Sequence, residues 1–164
     1  MPSQLDLGRL KRGEAVAAAS GLVLFVVMFL PWFSEQERVE GPGIRPFDVA
    51  QETHSAWQSL GAGGVLLVLV ILLALGVALL RAAELGPEDP VLPPALFVCA
   101  AGLLAVIVIL YRLVSPPDPT IDLAVGEADV GRSFGIVLGL MAATGISLGG
   151  YLTLAEGQAA RRSR

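Results

Sequence analysis

The stretch that decides the fold is Gly61–Leu80, GAGGVLLVLVILLALGVALL, twenty residues without a charge, an amide side chain or a proline. As a helix rising about 1.5 Å per residue it would cover about 30 Å, the thickness of a bilayer's hydrocarbon core. Its thirteen Leu, Ile and Val residues each favour insertion by about 0.3–0.6 kcal/mol at helix-centre depth, which sums to several kcal/mol. No polar face alternates with an apolar stripe, so this is not an amphipathic helix resting on a water-soluble core. It predicts a membrane span.

Composition extends that expectation to the whole chain. Of 164 residues, 54% are hydrophobic and only 16% charged, with a mean hydropathy of +0.71. That balance leaves too little polar surface to cover a water-soluble globule of this size. One integral membrane domain over 1–164 is the expected count, because spans satisfy one another instead of building separate cores. The net charge of −4 argues against a nucleic-acid partner. The lone Cys99 excludes an intrachain disulfide and a CxxC site, and its apolar run marks it as a small buried hydrophobe. Ten arginines against the single Lys11, with abundant Ala, Gly, Leu and Val, are the usage of a GC-rich bacterial genome.

Three further apolar runs surround the first. The chain starts with Arg9, Lys11, Arg12 and Glu14 and becomes apolar from Ala15 to Phe33. No small-x-small cleavage site follows, so the run predicts a retained span at 15–33, with Pro31 in its last turn. Ser34–His54 is polar, with five acids against Arg38 and Arg45 and a Gly41-Pro42-Gly43 turn. It predicts an exposed loop with a short helical piece from Asp48. Ser55 is placed to cap a second span at 57–80. Pro93-Pro94 opens a third at 95–113, since proline is tolerated in a first helical turn. Ser115–Arg132 is a second acidic segment, and the fourth span runs over 133–154 before the basic tail of Arg161, Arg162 and Arg164. The outer loops are then 34–56 and 114–132.

The expected architecture is therefore all-α, a four-helix transmembrane bundle. Four spans place both termini on one side. Arg9, Lys11, Arg12, Arg81, Arg161, Arg162 and Arg164 share that side, against Arg38, Arg45, Arg112 and Arg132 on the other. The bias puts both termini in the cytoplasm of a bacterial plasma membrane. Trp32, Phe33, Trp57, Tyr111 and Phe134 would form an aromatic belt at the outer boundary, with Trp32, Trp57, Tyr111 and Arg112 as interface anchors.

A charged side chain at mid-bilayer depth costs at least about 2.5–3.5 kcal/mol and marks function by default, and none of the four runs has one near its centre. Ser20, Thr144 and Ser147 are the polar residues at depth, each able to bond back to its own helix. His54 has no second histidine to make a metal pair, and Asp118 to Asp129 lacks the spacing of a calcium loop. No catalytic, metal or cofactor residue is predicted, and the chain is expected not to be an enzyme.

The most specific pattern lies in the last span. Gly131, Gly135, Gly139, Ala143 and Ser147 recur every four residues, and Gly145 with Gly149 repeats the spacing on an adjacent row. Small residues at that spacing let another helix approach closely. Gly13, Ala17 and Gly21 offer a counterpart in the first span. The ridge serves either the chain's own bundle or a second membrane protein, and packing within the bundle is the simpler use.

The basic start, the end of the first span in Phe29-Leu30-Pro31-Trp32-Phe33, and Trp57 before the second carry one resemblance. Tyr111-Arg112-Leu113-Val114-Ser115-Pro116-Pro117 after the third span and Gly149-Gly150 in the last complete it. With these features in this order the chain resembles the small, uncharacterised four-span membrane proteins of actinobacteria. That resemblance implies four spans and brings no activity or catalytic residue. Claudin-like tetraspan proteins also have four spans and a longer first outer loop, but they place a cysteine pair there, and this loop has none. The function expected is that of a structural or accessory membrane protein acting through helix packing, with itself or with a membrane partner. The alternative is a subunit of an oligomeric transporter or channel; a membrane enzyme comes third.

Overall fold

The computed structural model describes residues 10–41, 44–83, 93–116 and 127–162, with side chains described outside 35–52, 127–129 and 160–161. The elements run α1 (Arg12–Val27), β1 (Pro31–Gly41), β2 (Ile44–Ser55), α2 (Ala56–Leu60), α3 (Ala62–Ala82), α4 (Pro94–Val114), β3 (Glu127–Arg132) and α5 (Phe134–Arg162). The protein is mostly helical. Among the described residues three helical segments, Ala62–Ala82, Pro94–Val114 and Phe134–Ala159, are long and apolar enough to cross a membrane. Arg9, Arg164, the connection over 84–92 and the acidic stretch over 117–126 lie outside the described residues.

The all-α expectation is corrected by a three-stranded antiparallel sheet in the order β2-β1-β3. Segments 34–56 and 114–132 were read as outer loops, yet Phe33 pairs with His54 on one side and with Arg132 on the other. Asp48, expected to begin a helical piece, lies in β2 opposite Arg38. The physical reason is tertiary. β1 is too polar to announce itself by apolar alternation, and its backbone groups are satisfied by strands on both flanks, one of them far along the chain.

Pro31 also moves the end of the first helix. α1 has 16 residues, about 24 Å of length, and stops well before the expected Phe33. Proline has no N–H for a helical ladder and pushes the residue before it out of helical geometry. The last turn tightens instead, with Phe29 N donating to Val26 O and Leu30 N to Val27 O, both at 3.1 Å. Pro31 then opens β1. A second break separates α2 from α3 at Gly61, whose φ of +50° is a conformation that side-chain-bearing residues rarely adopt. Ser55 therefore caps the short α2, its N–H donating to Gln58 Oε1 at 3.0 Å, and not the long α3.

The helices pack side by side, α5 against α1 and α4, and α3 against the same two. Small residues face inward along much of them: Ala17 and Gly21 on α1, Ala74 and Ala78 on α3, Gly102 and Ala105 on α4. Large apolar side chains face out, among them Val26, Leu69, Ile107 and Met141, each more than 60% exposed. Toward the sheet the interior widens to hold Met28, Trp32, Phe33, Leu60, Ile109 and Ile136, all essentially inaccessible.

Candidate functional site

The small-residue row of α5 does not meet one neighbour. A helix turns 100° per residue, so each four-residue step overshoots a full turn by about 40°, and a row with that spacing winds around the axis. Gly135 and Gly139 face Trp32 of β1. A Cβ on Gly135 would stand 2.8 Å from Trp32 Cδ1, and one on Gly139 would stand 2.6 Å from Cζ2. Two turns later the row has reached α4. Ser147 Oγ donates to Cys99 O at 3.3 Å and lies 3.8 Å from Cys99 Sγ, while a Cβ on Gly102 would stand 2.6 Å from Ser147 N. Ala143, between them, is fully buried. Gly131 precedes the helix and sits in β3 against Ser34.

The adjacent row meets α1. A Cβ on Gly149 would stand 2.5 Å from Ala17 N and 2.6 Å from Gly13 O, and Gly145 abuts Ser20. Gly13 and Ala17 are thus the expected counterpart of the ridge, whereas Gly21 turns to Ala74 of α3. Gly150, named for the resemblance but not among the packing residues, is as crowded: a Cβ there would stand 2.6 Å from Cys99 N. Its place in the same α4-facing row as Ser147, three residues on, was the available signal. Close helix approach needs the absence of side-chain atoms, and α5 meets that need on three sides.

Trp32 is the clearest departure from expectation. Its ring is not on the surface of the bundle; it is fully buried beside α5. The indole Nε1–H donates to Val27 O at 2.8 Å, one of the carbonyls that the end of a helix leaves without an intrahelical partner. Ser133 N donates to Trp32 O at 2.9 Å, so one residue ties the end of α1, strand β1 and the start of α5. Phe33 is buried with it. Trp57, Tyr111 and Phe134 are exposed, and Trp57 stands 6.0 Å from Phe29, ring to ring. Arg112 is half-buried in the last turn of α4, where Arg132 Nε donates to Leu113 O at 2.7 Å.

The polar residues at depth also divide. Thr144 Oγ1 bonds back to Leu140 O at 2.8 Å as expected, but Ser147 reaches across to α4. Glu14 is the polar contact that sequence reasoning missed. Its carboxylate is buried at the start of α1, accepting from Lys11 N at 3.1 Å and from Arg81 Nε of α3 at 3.1 Å. The signal was positional, since an acid in the first helical turn commonly turns back to the preceding backbone N–H. A cavity of about 10 Å³ lies beside it, lined by Ala17, Ala74, Ala95, Gly150 and Thr153, room for at most one water. Among the described residues no three His, Cys, Asp or Glu side chains converge as a metal cluster. No family model matches the chain, and no curated protein matches it either.

Proposed function

We propose that the chain is a non-enzymatic structural or accessory protein of a bacterial plasma membrane: a four-span bundle, both termini cytoplasmic, that holds a small sheet at its outer surface. The observation that carries the reading is the outward face of the helices. Leu69 and Leu72 of α3, Leu103 and Ile107 of α4, and Val137 and Met141 of α5 are exposed together with many similar residues. A water-soluble monomer rarely shows contiguous apolar surface beyond a few hundred Å², whereas lipid tails are its natural solvent. α1, though short, is apolar over most of its length and lies between α3 and α5. It is the fourth span of this reading, and the arginine bias gives the orientation.

Accessory action follows from where packing capacity is used. The glycine rows of α5 are occupied by α1, α4 and Trp32, so helix packing serves the bundle itself. Contact with a partner then falls to the sheet and the lipid-facing surface. The test is reconstitution of the purified chain into liposomes. It should resist carbonate extraction, run as one discrete species in mild detergent and leave an ion gradient intact. A gradient that collapses only when the protein is present would replace the accessory reading by a channel.

A further inference from the structure

The cytoplasmic end assigned above carries an arrangement that lipid solvation of the spans does not require. We infer that this end binds the headgroup of an anionic phospholipid through Lys11, Arg12 and Arg81. The inference rests on the bundle being membrane-embedded. Two helix ends meet at Glu14. Its Oε2 accepts from the Lys11 backbone N–H and its Oε1 from Arg81 Nε, both at 3.1 Å, so one carboxylate holds the start of α1 against the end of α3. The α5 side of the junction is close as well, because a Cβ on Gly157 would stand 3.9 Å from Lys11 Nζ. From Thr153, which faces Gly13, α5 continues for nine residues to Arg162, about 13 Å past the first turn of α1.

The geometry of Arg81 gives the site its direction. The Glu14 side chain is only 4% exposed and the Arg81 side chain 47% exposed. The buried carboxylate thus takes one edge of a guanidinium whose remainder is at the surface. Among the described residues the two terminal nitrogens of Arg81 make no hydrogen bond. A guanidinium held at one edge is pre-oriented for an oxyanion at the other, and a phosphate accepts such a fork in bidentate fashion. Lys11, half-exposed, meets the same carboxylate through its backbone N–H, and the next residue, Arg12, is exposed. Among the described residues the acids at this end are Glu14, already engaged, and Glu156, fewer than the described cations. Tyr151, exposed on α5 near the same end, supplies an amphipathic ring at headgroup depth. Cations at a membrane surface attract anionic lipid, and here a buried carboxylate holds one of them in place.

Thermal unfolding of the full chain in neutral detergent, with added phosphatidylglycerol or phosphatidylcholine, tests the inference. A ligand that binds only the folded state raises the midpoint. Phosphatidylglycerol should raise it by several degrees more than phosphatidylcholine does, and inorganic phosphate should not reproduce the rise. Lys11→Gln with Arg12→Gln keeps the Glu14–Arg81 pair and should lose more than half of the difference, whereas Arg112→Gln at the opposite end should keep it. Should the double variant not fold, mass spectrometry of lipid retained by the native chain from an equimolar mixture decides, with enrichment of phosphatidylglycerol expected. Equal effects or equal retention of the two lipids would overturn the inference, as would a rise reproduced by phosphate alone. Carbonate extraction is scored separately, so failure of lipid selectivity is distinct from failure of the membrane reading.

Discussion

A buried indole needs a partner for its N–H, and Trp32 finds it in Val27 O, at the place where α1 runs out of helical donors. The ring then needs a flat surface on α5, and Gly135 and Gly139 provide it by having no side chains. Gly139→Ala would put a methyl 2.6 Å from Trp32 Cζ2. It should cost about 1–3 kcal/mol, as overpacking does, and shift the Trp32 emission to the red in a Trp57→Phe background. Unchanged stability and emission would place the ring elsewhere. Trp32→Phe should be the milder change, because Val27 O keeps the bond from Leu30 N. At the other end, Arg81→Ala leaves the buried Glu14 carboxylate with the Lys11 N–H alone among the described residues. Stranding a buried acceptor costs about 1–3 kcal/mol. Arg81→Ala should therefore lower the denaturation midpoint more than Arg112→Ala, and adding Glu14→Gln should recover part of the loss. If the second change deepened the loss, the pair would not be acting through its charge.

The helices separate two kinds of glycine. Gly149 and Gly150 of α5 are pressed against backbone atoms of α1 and α4, whereas a Cβ on Gly76 of α3 would meet nothing within 4 Å. Leucine is the better helix former by about 1 kcal/mol and is more hydrophobic. Gly76→Leu should therefore be neutral or stabilising, and Gly149→Leu or Gly150→Leu should destabilise the monomer itself in detergent denaturation. Equal tolerance at all three would mean that the α5 rows do not carry the bundle. The four-residue spacing was legible in the sequence because small residues are visible as letters. Its division among three neighbours was not, since that depends on where the other helices stand. The sheet was hidden for a different reason. Pro31-Trp32-Phe33 looked like the end of a span because all three are common at a membrane boundary, and Glu35 to Glu40 has no apolar alternation to mark a strand. β1 forms because β2 and β3 flank it; β2 follows closely, but pairing with β3, far along the chain, leaves no local trace.

Across the whole molecule, outward-facing leucines, isoleucines and valines surround helices whose inner faces are rich in small residues, and the sheet closes one end. That apolar character stood in the sequence, as apolar length in Gly61–Leu80 and as low charge everywhere. The Glu14–Arg81 contact did not, because the residues lie far apart and only packing of α1 on α3 brings them together. In the proposed topology four helices cross the membrane, with the sheet outside and both termini inside. Single cysteines at Gln51 in β2, at Glu88 between α3 and α4, and at Thr120 before β3, each in a Cys99→Ala background, test it most directly. A membrane-impermeant thiol reagent applied to intact cells should label the positions at Gln51 and Thr120, and reach Glu88 only after permeabilisation. Labelling at Glu88 in intact cells would rule that topology out.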